Sequence, residues 1–291
     1  MFSIQAQQLL NLLFLVALSS LLKYFYLDWQ TLIVIILCTL FIEHLFMHIK
    51  YKKINYFSFS SLTTAFGVML MMVGDSIWIY VFAIILGLGQ KYFLTLKGSH
   101  FFNPSNFALL MAMFFFYNDA HIVLGQLGDE LYLRIVVIGL GIIILIRAKR
   151  LVIPISFIVI YIVMQYIFVV SYDDTVVLED IYLRFYSVSS IVFILFMLTD
   201  PRTTPTSVWK QILFAFFIAL ISTGFDRYYG FRIQHLFMSL FMLSPLVTMF
   251  ELQSKQSLEA KDMAKFIVLI FLVLSVIISI ESTPPYYFEM D

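Results

Sequence analysis

The chain has 291 residues, of which 62% are apolar and 18% aromatic, while only 12% are charged. Soluble domains carry about 45–50% apolar and about 25% charged residues, so this composition excludes an ordinary soluble fold and indicates a chain that faces lipid. The 18 basic residues balance the 18 acidic residues, and this balance points to no nucleic-acid partner. The single cysteine, Cys38, forms neither an intrachain disulfide nor a thiolate cluster.

Eleven apolar stretches have about the length of a membrane helix, since one crossing takes roughly 17–25 residues. They are 9–22, 32–48, 57–73, 77–96, 104–117, 131–146, 151–170, 181–198, 205–222, 233–250 and 263–280. The fifth is short and starts at Pro104, which is typical of a broken helix. The sequence therefore predicts an all-α, polytopic integral membrane protein of about 10–11 transmembrane helices. It forms a single transmembrane domain, 1–291, in which 1–120 and 131–280 are candidate repeated halves.

The distribution of basic residues predicts the orientation, because cytoplasmic loops are enriched in Lys and Arg. With a cytoplasmic N-terminus, thirteen of the 18 basic residues fall in cytoplasmic loops and five fall outside. Eleven spans then place the C-terminus outside. We expect a multi-pass protein of the cell inner membrane, surrounded by the lipid bilayer.

The first polar motif surrounds the start of the fifth predicted span. Asn103 and Pro104 are typical of an N-cap and a first helical residue, and Ser105 and Asn106 follow. A helix start of this kind offers unpaired N–H groups and a partial positive charge to an anion or an electron-rich ring. A plain interfacial helix cap has the same sequence, so that alternative stays open.

The second polar motif, 199–207, follows the eighth predicted span on the same predicted face. Thr204 and Pro205 again predict a cap and a first helical residue. Arg202 can hold a phosphate or carboxylate bidentately, or it can simply pair with Asp200. We predict one cytoplasm-facing cavity between the two motifs. Its predicted lining residues are Asn103, Ser105, Asn106, Asp200, Arg202 and Thr203.

Other small and polar residues inside the spans admit structural explanations. Glycine pairs at 87 and 89 and at 139 and 141 favour close helix packing. Hydroxyl residues at 60, 61, 63 and 64 can bind either a ligand or their own backbone carbonyls. His44 and His48 are four residues apart, but no third ligand accompanies them, so no metal site is predicted. No Walker loop or HExxH helix is present, which argues against hydrolase and ATPase chemistry.

The segments 102–104 and 199–205 resemble motifs of a known membrane family. Its NqrB and RnfD proteins, membrane components of the sodium-translocating NADH:quinone reductase and of the Rnf electron-transport complex, show an Asn-Pro helix start. They also show a later Thr-Asp-Pro-x-Thr-x-Pro segment, followed by a helix and a Gly/aromatic turn, here Gly224 to Gly230. The resemblance covers about 60–116 and 190–246. It is closer still to an offshoot associated with enediyne biosynthesis clusters.

The resemblance implies a membrane redox subunit with partner redox or membrane subunits, taking part in transmembrane electron transfer and ion movement. The family carries a covalent FMN on a Thr of an external loop. The corresponding segment here, 117–130, contains no Ser or Thr, so a phosphoester-linked flavin is excluded there. What remains is a non-covalent flavin, either FMN or riboflavin, or a quinone. Two alternatives stay open: a transporter for a flavin or small aromatic anion, and a membrane anchor for a partner protein.

Overall fold

The computed structural model describes residues 3–53, 57–123, 130–172, 175–201, 203–253 and 259–283. Within these ranges the regular structure is almost entirely helical. The α-helices are α1 (Ile4–Leu21), α2 (Trp29–Tyr51), α3 (Phe59–Met71), α4 (Ile77–Phe93), α5 (Pro104–Phe115), α6 (Leu131–Ala148), α7 (Val152–Gln165), α8 (Leu178–Tyr186), α9 (Val188–Val192), α10 (Val208–Tyr229), α11 (Gln234–Gln253) and α12 (Ala260–Ser282). Two π-helical segments, Tyr166–Val170 and Phe193–Met197, continue α7 and α9. The all-α polytopic membrane fold is thus confirmed.

Two antiparallel pairs of very short strands complete the described structure. Strand β1 (Met72–Gly74) pairs with β4 (Ala120–Ile122), so the segments that follow α3 and α5 lie side by side. Strand β2 (Thr95–Leu96) pairs with β3 (Ser99–His100) and forms a hairpin between α4 and α5. Both pairs therefore fix the ends of the short helices at the centre of the bundle.

All eleven predicted spans coincide with helices, but not all of these helices are long enough to cross a membrane. Seven are long and apolar enough, namely α1, α2, α6, α7 with its π-helical segment, α10, α11 and α12. Helices α3, α4 and α5 have only 13, 17 and 12 residues. At about 1.5 Å per residue these three are shorter than the roughly 30 Å hydrocarbon core. By helix length, the described residues therefore give seven or eight complete spans, fewer than the 10–11 predicted.

The eighth predicted span, 181–198, is broken. Helix α8 and the continuous helix formed by α9 and its π-helical segment meet at an angle of 70°. The break lies at Ser187, whose backbone is extended and whose Oγ accepts a hydrogen bond from the N–H of Ser190 at 3.0 Å. Residues 187–199 are all buried, so the second part of this span is a central helix. The break thus falls in a span that was predicted to be continuous, whereas the broken helix was predicted at Pro104.

Two of the helices that pack against α5, α3 and α4, each place one glycine against it. A Cβ atom at Gly87 of α4 would lie 2.6 Å from the carbonyl oxygen of Pro104 and 2.8 Å from the Cβ of Ala108. A Cβ at Gly67 of α3 would lie 2.5 Å from the Oγ of Ser105. At Gly89 the nearest atom would be 3.7 Å away, so only the first glycine of the 87/89 pair serves close packing.

Contacts between helix ends show that the chain alternates between two faces of the bundle. We define the N-terminal face as the one that holds the start of α1, where Gln7 accepts a hydrogen bond from Arg147 at the end of α6. At the opposite face, Tyr24 donates to Glu130 at 3.3 Å. This alternation agrees with the predicted loop assignment. Which face is cytoplasmic, and whether the two halves are repeats, stay predictions.

Candidate functional site

The two polar motifs meet at the N-terminal face. The Nδ2 of Asn103 donates a hydrogen bond to Oδ2 of Asp200 at 3.1 Å, although the two residues are 97 positions apart in sequence. This contact joins the start of α5 to the turn that follows the second π-helical segment. The sequence correctly placed both motifs at one location.

The N–H groups at the start of α5 are not free, contrary to the prediction. The Oδ1 of Asn103 accepts hydrogen bonds from the backbone N–H groups of Ser105 and Asn106, at 3.0 and 3.1 Å. Pro104 has no N–H, and the N–H of Phe107 donates to the Asn103 carbonyl at 3.0 Å. The cap therefore satisfies the donors that a ligand would otherwise use. An anion would have to displace the Asn103 side chain to reach them.

The second predicted helix start is also displaced. Helix α10 begins at Val208, and the Oγ of Ser207 accepts a hydrogen bond from the N–H of Lys210 at 3.4 Å. Pro205 therefore precedes the helix, and Thr204 is not its N-cap. The Thr204 hydroxyl instead donates to the Asp200 carbonyl at 2.7 Å. This bond holds the turn that presents the Asp200 carboxylate.

A cavity of about 240 Å³ lies where the two motifs meet. Helices α1, α3 and α5 and the turn at Asp200 supply its walls. Its lining residues are Ile4, Gln5, Gln8, Ser60, Thr63, Thr64, His100, Asn103, Pro104, Ser105, Asp200 and Pro201. Three of the six predicted site residues, at positions 103, 105 and 200, therefore share one cavity.

The other predicted site residues do not line this cavity. Asn106 is fully buried, and its Nδ2 donates to the carbonyl of Phe237 in α11 at 3.1 Å. Thr203 is buried beside the cavity turn and does not appear among the lining residues. Arg202 lies outside the described residues. The sequence thus predicted that the two motifs meet, but not which neighbouring side chains line the cavity between them; that this cavity binds a cofactor stays a prediction.

Several cavity residues were not predicted as site residues. Gln5 and Gln8 come from α1, three positions apart on one helix face. The hydroxyl groups of α3 were considered either as ligand-binding groups or as partners of their own backbone. Two of them bind their own backbone: Thr63 donates to the Phe59 carbonyl at 2.8 Å, and Thr64 donates to the Ser60 carbonyl at 3.0 Å. Their oxygens can still accept hydrogen bonds. The paired glutamines in an apolar helix were the sequence signal that was missed.

The electrostatics of the cavity are set by one carboxylate. Asp200 is the only charged side chain among the described lining residues. Nearby, the buried Arg150 donates from Nε to the Thr204 hydroxyl at 3.0 Å. Burial lowers the pKa of Arg150, while the carboxylates of Glu251 and Asp200 act in the opposite direction. Arginine keeps its charge in proteins, so Arg150 partly balances the charge of Asp200 from outside the cavity.

The fold and the cavity define a polytopic helical membrane protein in which short, capped central helices enclose a small polar site. Residues 118–257 match the NQR2, RnfD, RnfE family, and the predicted family resemblance is confirmed over this region. The match contains the 199–205 motif and begins after the Asn-Pro motif of α5. The family consists of membrane subunits linked to membrane redox complexes. No curated protein matches the chain.

Proposed function

We propose that the chain is a membrane redox subunit that binds a flavin non-covalently in the cavity at Asn103 and Asp200. The observation that carries the proposal is the meeting of an amide cap and a carboxylate at the wall of one polar cavity inside an apolar bundle. The match to a family of membrane redox subunits supports the chemical class. When bound, the flavin supplies electron transfer, and the protein binds the ring and shields it from water.

The hydrogen-bonding groups of the cavity fit a flavin ring better than a quinone. The pyrimidine edge of a flavin places an N–H donor between two carbonyl acceptors. The Asp200 carboxylate can accept from that donor, and the amides of Gln5 and Gln8 can donate to the carbonyls. An oxidised quinone ring offers acceptors only, so its oxygens would face the carboxylate with no hydrogen between them. Burying two acceptors against each other is costly.

The size and charge of the cavity favour riboflavin over FMN. Ligand sites usually measure about 300–1,000 Å³, so a cavity of about 240 Å³ suits the ring system and leaves the side chain of the flavin outside. The described lining carries a carboxylate and no basic group apart from the imidazole of His100. The phosphate of FMN would be repelled by Asp200. The same charge disfavours a transporter for small aromatic anions.

Binding of riboflavin to the purified full-length chain in lipid nanodiscs tests the proposal. Quenching of riboflavin fluorescence should report binding, and Asp200→Asn should weaken it about 10- to 150-fold. This range corresponds to the roughly 1.5–3 kcal/mol of a hydrogen bond to a charged group. The matched control is Glu259→Gln, which removes an exposed carboxylate paired with Lys261, outside this cavity.

Three results would contradict parts of the proposal. Equal riboflavin affinity of the Asp200→Asn variant and the parent would remove the carboxylate from the site. Tighter binding of a short-chain quinone than of riboflavin would reverse the choice of ligand. Accumulation of riboflavin inside proteoliposomes without any reductant would favour the transporter function over the redox function.

A further inference from the structure

A buried network of charged groups lies at the opposite face of the bundle. The guanidinium of Arg184 in α8 binds Asp226 of α10, with Nη1–Oδ2 and Nη2–Oδ1 distances of 2.8 and 3.5 Å. Tyr161 and Gln165 of α7 donate to the same Oδ2 at 3.0 and 2.6 Å. Because a buried carboxylate needs such partners, Asp226 is held in its ionised form by groups from two other helices.

A histidine connects this network to a second carboxylate. The Nδ1 of His235 lies 2.7 Å from Oδ1 of Asp226, and its Nε2 lies 3.3 Å from Oε1 of Glu281 in α12. All three side chains are at most 2% exposed. Among the described residues, the buried Nε2 makes no hydrogen bond of good geometry. The imidazole therefore sits between two carboxylates, with one nitrogen poorly satisfied.

Counting hydrogens shows that this arrangement calls for one additional proton. A neutral imidazole has one N–H and one lone pair. If the N–H of Nδ1 donates to Asp226, the lone pair of Nε2 faces the carboxylate oxygen of Glu281, and two electron-rich atoms are then buried against each other. A proton on either Nε2 or Oε1 turns this repulsion into a hydrogen bond.

We propose that Asp226, His235 and Glu281 form a proton-binding site in which His235 and Glu281 share one exchangeable proton. In the transfer step the Nε2–H bond of the imidazolium breaks while an O–H bond forms on Oε1 of Glu281. The ring is left neutral, and its Nδ1–H still donates to Asp226. No other reactant is needed, and the charge of the site is unchanged.

Unsatisfied polar atoms and a partly exposed arginine flank this site. Among the described residues, the Oε1 of Gln165 and the hydroxyl of Thr223, one turn before Asp226, are buried without hydrogen-bond partners. Buried polar atoms of this kind are usually satisfied by water, which can pass protons on. Towards the surface, Arg232 is 26% exposed and lies 3.5 Å from Glu281.

The other polar and charged groups near His235 belong to α8, to α11 and the turn before it, and to the segment that follows α5. Two arginines, Arg184 and Arg232, face the two carboxylates, so the cluster is neutral when the ring is neutral. Gln234 donates to the Oε1 of Glu281 at 2.9 Å. The Tyr117 hydroxyl, at the end of α5, donates to the Thr283 carbonyl near Glu281. None of these groups donates to Nε2 of His235, so within the described part of the chain a proton is the partner that this atom calls for.

Nitrogen NMR on the full-length chain, labelled with ¹⁵N-histidine and held in lipid nanodiscs, tests the proposal. At pH 7 we expect the His235 ring either to carry both protons or to carry one, together with an infrared band of a protonated carboxylic acid. In Glu281→Gln the amide can donate its own N–H to Nε2, so the ring no longer needs the proton. The shared-proton signal should then fall at least tenfold, while Glu251→Gln leaves it unchanged.

The His235 signal is identified by its loss in His235→Gln. If that variant does not fold, the His235 signal is identified by elimination, because the other four histidines, His44, His48, His100 and His121, are assigned from their own single variants. A singly protonated ring with both carboxylates ionised in the parent would overturn the proposal.

Discussion

Gly87→Ala should destabilise the bundle, although alanine favours helices. The added methyl group would lie 2.6 Å from the carbonyl oxygen of Pro104 and 2.8 Å from the Cβ of Ala108. Both atoms belong to the backbone or to a side chain without rotatable bonds, so α4 and α5 must separate. Overpacking of this kind costs about 1–3 kcal/mol, and the helix propensity of alanine returns only about 0.5–1 kcal/mol.

Gly89→Ala is the matched control for this change. It lies on the same helix two residues later, and its added methyl would be 3.7 Å from the Phe46 ring, an ordinary contact. The control should gain the stabilisation that alanine gives a helix, without any cost from overpacking. The two variants should therefore differ by about 1–3 kcal/mol in the free energy of unfolding. Because Gly87 packs against Pro104, next to Asn103, only Gly87→Ala should also weaken riboflavin binding.

Unfolding in a denaturing detergent, followed by intrinsic fluorescence, measures the difference between these variants. Riboflavin titration of the folded protein measures the effect on the cavity. Equal unfolding midpoints for Gly87→Ala and Gly89→Ala would refute the close approach of α4 and α5. An unfolding difference without any change in riboflavin affinity would refute the link between this packing and the cavity.

Three further predictions concern the buried network, the topology and the flavin linkage. Asp226→Asn should cost about 3–5 kcal/mol of stability, since it leaves Arg184 buried without its counter-ion; detergent unfolding measures this, and a loss below about 1 kcal/mol would contradict the ion pair. In a cysteine-free background, Lys52→Cys and Tyr228→Cys should react with impermeant thiol reagents from opposite sides; labelling from one side contradicts the topology. Denatured protein should show no flavin fluorescence in a gel, because 117–130 lacks Ser and Thr.

Hydropathy was enough to find the helices but not to find where they stop. The predicted span runs unbroken from 181 to 198, yet the chain bends by 70° near Ser187. The reason is local: the Ser187 side chain caps the following helix, and a cap of this kind can start a helix within an apolar run without changing its hydropathy. Likewise α3 ends at Met71, where the chain enters the strand pair β1–β4. Such long-range pairing leaves no signal in local hydropathy.

The site was predicted from helix caps, and the same caps account for the error in its chemistry. Asn103 marks the start of α5 because its side chain can accept from the first N–H groups. A residue chosen for that role also occupies those groups, so the helix start has no free donors. The sequence thus predicted that a cavity lies between the two motifs. It did not predict that the cavity is acidic, because this depends on whether the Asp200 side chain points into it.

The network at the opposite face was invisible to the sequence for a different reason. Arg184 lies near the start of the predicted span 181–198, and its side chain is 3% exposed within the bundle. Its partner Asp226 lies 42 positions away, and Glu281 lies 46 positions beyond His235. Taken alone, each of these residues lies near the end of a predicted span, and such a residue is typical of an interfacial anchor. Only the packing of α8, α10, α11 and α12 brings them together.

The contacts of α5 and α11 connect the cavity and the proposed proton site. Asn106, one turn into α5, donates to the carbonyl of Phe237, which lies two residues after His235 in α11. The N–H of Asn106 is in turn capped by Asn103 at the cavity wall. A ligand that moves Asn103 therefore acts on a side chain bonded directly to the first turn of α11. By linkage, any effect of riboflavin on the proton of His235 must be matched by an equal effect of that proton on riboflavin affinity. These two helices thus link Asn103 at the cavity to the turn of α11 that carries His235.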